Sequence, residues 1–167
     1  MKKIYLSVVC LLISIPLIAQ LYVEPEKEVE CSVFLAKEGR GRAQQGLEMW
    51  DDYIFSCEDG GHVNIYDFKS ADPKPVAGFE LASSHPDNHV NNVCFGVETK
   101  RGASFPLLYI TNGKVGSELE WLCFVESITR RGKRFSSEIA QTIELDGSKW
   151  VEKGYVPIFG APSWLVD

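Results

Sequence analysis

The sequence predicts an all-β protein made of two four-stranded antiparallel units in tandem. Three observations predict this. Short runs rich in β-branched and aromatic residues recur along the chain, each bounded by Gly, Pro, Asn or Asp. They fall into two groups of four whose starts lie roughly 45 residues apart. After the first twenty residues, no run of ten or more carries the apolar period of an amphipathic helix.

The first element is a leader. Lys2 and Lys3 precede an apolar run from Ile4 to Ala19, broken only by Ser7, Ser14 and Pro16. A basic start followed by a short greasy stretch is the layout of a secretory signal peptide, and spanning a bilayer takes about 20 apolar residues. Residues 1–19 are therefore read as a signal peptide cleaved after Ala19. The mature chain is expected to be exported, periplasmic or extracellular, with no transmembrane helix. Val9 stands before Cys10 where a lipid-anchor site needs a small residue, which argues against a lipoprotein. Losing Lys2 and Lys3 takes the 17 basic residues to 15 against 23 acidic ones, a balance of −8. Such a surface repels phosphate backbones, so nucleic acid is excluded as a partner.

Cys31, Cys57, Cys94 and Cys123 remain after the leader. Export permits disulfides, and four cysteines allow three pairings. Each sits in an apolar, strand-like run, the setting of a buried free thiol, and free thiols are the favoured reading. No C-x-x-C is present, so a metal ribbon has no support.

Residues 20–42 form an N-terminal segment with one strand, Val29–Leu35, and a polar connector, Lys37–Arg42. The first unit, 43–82, opens with a strand over Ala43–Met49 and a turn at Asp51-Asp52. Its best-specified part is the hairpin 52–68. There Tyr53, Phe55 and Cys57 alternate with Ile54 and Ser56, Glu58-Asp59-Gly60-Gly61 turns the chain, and Val63, Ile65 and Tyr66 return. A proline-rich loop, Ser70–Pro75, leads to a fourth strand over Val76–Leu81. The second unit, 83–146, follows the loop Ser83–Asn88. Its strands are expected within His89–Thr99, Leu107–Thr111, Leu119–Ile128 and Phe135–Leu145. Asn112-Gly113-Lys114 and Thr129–Arg134 supply turns. Residues 147–167 form a linker, and Pro162–Asp167 begins another first strand.

Gly61–Asp67 (GHVNIYD) resembles the strand that ends blades of the YVTN and WD40-like β-propeller superfamily. Leu107–Asn112 (LLYITN) resembles the strand and turn of the same repeats. The resemblance covers 43–146 and departs from the family in lacking a closing Trp-Asp pair and a Gly-His start. It implies a partial β-propeller: two four-stranded antiparallel blades plus the start of a third, after the signal segment. A propeller closes with about 4–8 blades, and fewer than three repeats leave apolar faces uncovered. The chain is thus expected to be the front of a longer protein or a truncated product. A complete small β-sandwich or open sheet is the alternative.

The resemblance further implies that blade-entry loops and second-to-third-strand turns meet on one face. That brings His85, Pro86, Asp87, His89, Asn91 and Asn92 together with Glu58, Asp59 and His62, joined by Gln44, Gln45, Asn112, Lys114, Ser163 and Trp164. Histidine and aspartate in His85–His89 suit a metal ion, but Pro86 opposes the helix that an H-x-x-x-H chelate uses, and a plain polar loop is favoured. Asn91 and Asn92 open a strand, where asparagine is depleted, so their amides are candidates for a Ca²⁺ or a sugar hydroxyl; a turn role competes. Glu58–His62 contains a carboxylate–imidazole set able to move protons, or a merely solvated turn. Arg130, Arg131, Lys133 and Arg134 form a cluster able to grip an anion, but they flank Gly132 at a hairpin tip, and a wet surface turn is the favoured reading. Trp121 is expected in the core, whereas Trp150, Tyr155 and Trp164 lie by loops and suit stacking on a ring. There is no G-x-S-x-G and no phosphate-binding glycine loop. The expected function is a binding or scaffold module holding a small ligand, glycan or protein by loops on one face. No cofactor is expected beyond a divalent cation such as Ca²⁺. The alternative is a metal-dependent, lactonase-like hydrolase using Asp87, His89, Asn91 and Asn92.

Overall fold

The computed structural model describes residues 42–155 and Pro162. The leader 1–19, the Val29–Leu35 strand, Cys31, Ser163, Trp164 and the strand expected to begin at Pro162 lie outside the described residues. All described residues belong to one compact unit.

Among the described residues eight strands form two four-stranded antiparallel sheets, each a consecutive meander. The first holds β1 (Gln44–Trp50), β2 (Tyr53–Glu58), β3 (His62–Asp67) and β4 (Ala77–Glu80). The second holds β5 (Asn92–Phe95), β6 (Leu108–Thr111), β7 (Leu122–Arg131) and β8 (Arg134–Glu144). One short helix, α1 (Ser148–Val151), follows. No helix among the described residues is long and apolar enough to cross a membrane.

Period-two patterning decides which side chains meet. Tyr53, Phe55 and Cys57 point from β2 to the same face as Val63 and Ile65 of β3, through the pairs Phe55↔Ile65 and Cys57↔Val63. The two sheets pack with β1 against β5 and β4 against β8. Their shared core contains Phe55, Val63, Ile65, Phe79, Val93, Leu108, Ile110, Phe124, Ile128 and Phe135. Phe55, fully buried, meets Phe95 and Phe105 edge to face with centroids at 5.0 and 5.1 Å. Rings in that arrangement attract through their quadrupoles as well as by burial.

Close contacts hold β1 to β5, and Trp50 meets Phe95 edge to face with centroids at 5.9 Å. A Cβ on Gly46 would lie 3.1 Å from both γ-methyls of Val93, so the absence of a side chain sets the spacing of the two strands. The Glu48 carboxylate accepts the Phe95 N–H at 3.3 Å. At the far end of the sheets the Arg130 guanidinium lies 4.8 Å from the Tyr53 ring and 5.8 Å from that of Phe135, a cation–π cover over the core.

Three expected boundaries change. The strand read within His89–Thr99 shrinks to Asn92–Phe95, because Val90 takes a left-handed backbone (φ 43°) and Val97 is exposed. The Leu119–Ile128 strand starts at Leu122, since Glu120 and Leu122 donate backwards to Ser117 and Leu119 in successive turns. Trp121 therefore sits on a half-buried turn outside the core. The tip of the last hairpin narrows to Gly132-Lys133, with Arg131 paired to Arg134 and Gly132 at φ 63°. Cys57, Cys94 and Cys123 are free thiols. Burial pushes Cys57 far above the ordinary thiol range and Cys94 up to about 11.

Candidate functional site

The connector from β4 to β5, residues 81–91, crosses one end of both sheets, and the local sequence explains its shape. Ser, Asn and Pro favour turns over ladders. Buried Asn88 closes the loop on itself: its Nδ2 donates to Ser83 O at 2.9 Å, and its Oδ1 accepts the Val90 N–H at 3.1 Å. Asn88 O accepts the Gly60 N–H at 2.7 Å, tying the loop to the β2–β3 turn. On the other side His89 N donates to buried Asn112 Oδ1 at the end of β6.

Beneath the loop lies Glu126 of β7, with no exposed surface. Its two oxygens accept the backbone N–H groups of Ser83 at 2.8 Å and Ala82 at 3.0 Å. A buried carboxylate is costly unless it is bonded, and here the connector supplies the bonds.

All three histidines of the chain stand at this end, each facing a carboxylate brought from elsewhere in the sequence. His62 Nδ1 donates to Glu80 Oε1 at 3.0 Å across the β3–β4 pair. His89 Nδ1 contacts Asp59 Oδ1 at 2.5 Å. That contact is a close ion approach without hydrogen-bond alignment, since the same oxygen has no aligned donor. His85 Nδ1 accepts the Asp87 N–H at 3.1 Å, which leaves the proton on Nε2, 3.7 Å from Glu118. Lys114 Nζ donates to Asp87 at 2.7 Å, and this bond holds the Asp87 carboxyl below the usual carboxylate range.

Between these groups open two adjoining clefts. One of about 470 Å³ is lined by Arg42, Asp59, Pro86, Asn88, His89 and Lys114. A smaller one of about 210 Å³ shares Arg42, Asp59 and Pro86, and adds His62, Glu80, Ser84 and His85. Arg42 reaches over the turn because Gly60, at φ 85°, has no Cβ; one would fall 2.0 Å from Arg42 Nη1.

Of the residues expected to converge, Asp59, His62, His85, Pro86, His89 and Lys114 line these clefts, and Asp87 is held beside them by Lys114. Glu58 is turned away and fully buried, with Oε1 bonded to Asn64 at 2.9 Å and Oε2 without a hydrogen-bond partner among the described residues. The carboxylate–imidazole pairing expected inside Glu58–His62 is replaced by the two longer-range pairs. Asn91 and Asn92 line neither cleft: Asn91 packs on Gly113, and Asn92 Oδ1 accepts the next backbone N–H at 2.9 Å. Gln44 and Gln45 stay in β1. Trp150 and Tyr155 are exposed on and after α1, edge to face at 6.2 Å, away from both clefts. Among the described residues no group of three or more His, Cys, Asp or Glu is placed to hold a metal ion. Arg42, Asn88 and Glu126 were not legible as site residues. Glu126 carried a signal, a lone carboxylate inside the apolar run LCFVESI.

No family model matches the chain, and no curated protein matches it.

Proposed function

We propose that this chain is an exported, β-propeller-like binding module whose ligand sits in the polar clefts at the connector end of the two sheets. The carrying observation is the convergence there of turns from both sheets around two adjoining clefts, the larger of about 470 Å³ with His89 in its lining and the smaller of about 210 Å³ with His62 and His85. A rigid scaffold that presents polar loops is the usual architecture of a recognition site. The propeller-like reading draws support from two consecutive four-strand meanders packed first strand on first and fourth on fourth. Export rests on the leader. The hydrolase alternative gains nothing from the geometry: Asp87 is engaged by Lys114, His89 lies against Asp59, Asn91 packs on Gly113, and Asn92 Oδ1 accepts the next backbone N–H.

The test is a screen of small polar compounds against the isotope-labelled chain. Binding is expected to shift the backbone amides of Gly60, Asn88, His89 and Lys114 together. Shifts confined to α1 or to the 132–133 hairpin tip would remove the site from this end.

A further inference from the structure

Resting on that reading, the uncommitted groups around the larger cleft define its ligand more narrowly. Arg42 has five N–H donors and makes one weak hydrogen bond among the described residues, Nη1 to Asp59 O at 3.3 Å. Among the described residues no carboxylate side chain pairs with it. Lys114 spends one of three donors on Asp87. His89 Nδ1 lies against Asp59 Oδ1, and its Nε2 makes no hydrogen bond among the described residues. Against these, the acceptor side chains among the described lining residues are Asn88, whose amide is used on Ser83 and Val90, and Asp59, whose Oδ1 already faces His89 Nδ1. Donors therefore exceed acceptors. A neutral, balanced partner would leave several N–H groups bare, whereas an anion takes them up.

We propose that the cleft binds a small anionic ligand, a carboxylate or a phosphate, gripped in bidentate fashion by the Arg42 guanidinium and flanked by Lys114 and His89. Arginine's planar fork matches both anions, and the fork cannot lose its charge. Lys114, in the same lining, adds a point charge. Arg42 lies just before β1 of the first sheet and Lys114 just after β6 of the second, so the anion is held between elements of both sheets. Pro86 gives the wall a small apolar surface on which the body of a ring or short chain rests.

The test is titration of the full chain, by calorimetry and amide shifts at low salt, with glucuronate, glucose and inorganic phosphate. Glucuronate or phosphate is expected to bind and to shift His89 and Lys114, with glucose at least about tenfold weaker. Arg42→Gln is expected to weaken anion binding about tenfold or more, and Arg42→Lys to restore part of it, because charge returns without the fork. Lys114→Gln has a smaller effect. An unchanged amide spectrum outside the cleft verifies folding in each variant. A preference for glucuronate assigns a sugar-acid carboxylate, and a preference for phosphate a compact tetrahedral anion. Glucose binding as tightly as glucuronate, indifferent to Arg42→Gln, overturns the anion assignment and leaves the cleft as a ligand site. No response at the cleft amides to any of the three probes overturns the anion assignment; the broader compound screen then decides whether the cleft binds anything.

Discussion

Glu126 offers the sharpest test of how the connector is held. Replacing it with alanine removes acceptors from two backbone N–H groups at once. Ala82 N keeps a second acceptor, Ser137 Oγ at 2.8 Å, so its loss is partial. Ser83 N makes no other hydrogen bond among the described residues, and Ser83 is buried. Leaving a buried N–H unsatisfied costs about 1–3 kcal/mol, and a hydrogen bond to a charged group is worth about 1.5–3 kcal/mol. Relief from burying a charge offsets part of this. Glu126→Ala is therefore expected to lose about 3 kcal/mol, and Glu126→Gln about half as much, because one oxygen survives. The measurement is urea unfolding of each variant, read beside hydrogen exchange at the Ala82 and Ser83 amides. Exchange at both should accelerate even where the sheets stay intact, and ligand binding should weaken with it, since His85, Asp87 and His89 ride on the same connector. Stability within about 0.5 kcal/mol of the parent, with both amides still protected, would refute the clamp.

Other outcomes follow from single features. Gly46→Ala puts a methyl 3.1 Å from the Val93 side chain, so urea unfolding should show a loss of about 1–3 kcal/mol, with β1 amides exchanging faster. Cys94, raised from 9.0 to about 11 first by burial and then by the Glu48 charge, should alkylate about 100-fold more slowly at pH 8 than a free thiol. The fold favours its protonated form, so the stability it contributes is complete below about pH 9 and is lost as pH rises toward about 11; base-induced unfolding that spares a Cys94→Ala variant checks the sign. Asp87 has the opposite sign. Its pKa is lowered by Lys114, so its contribution is present above the ordinary carboxylate value and disappears as pH falls through the depressed one. In Lys114→Gln the Asp87 carboxyl, followed by NMR, should titrate at higher pH than in the parent, and an unmoved titration would show that the pair does not form in solution.

The strands were legible because their signals are local. Alternation in Tyr53–Cys57 sorts inward from outward side chains, and Gly60-Gly61 supplies the two positive φ angles of the turn. The ends of β5 and β7 were not, because neither is set by propensity. Val90, a β-branched residue, reads as strand, yet it is left-handed, with its own N–H bonded to Asn88 Oδ1 and that of His89 to Asn112 Oδ1. At the site, the composition of the loops was readable and their partnerships were not. His62 and Asp59 sit three residues apart, and each pairs instead with a residue 18 or 30 positions away. Which carboxylate an imidazole meets depends on strand register and sheet packing. The same holds for Arg42, which reads as the end of a solvated connector and becomes a cleft wall only because Gly60 leaves it room.

That the cleft takes its walls from different sheets has a thermodynamic consequence. An occupant spanning Arg42 and Lys114 acts as a rivet: separating the layers would require expelling it first. Its binding energy then reappears in the melting temperature of the whole unit, worth about 2.7 kcal/mol at a hundredfold excess over Kd. A plain heat-denaturation screen therefore doubles as a search for the natural occupant, even before its chemistry is known.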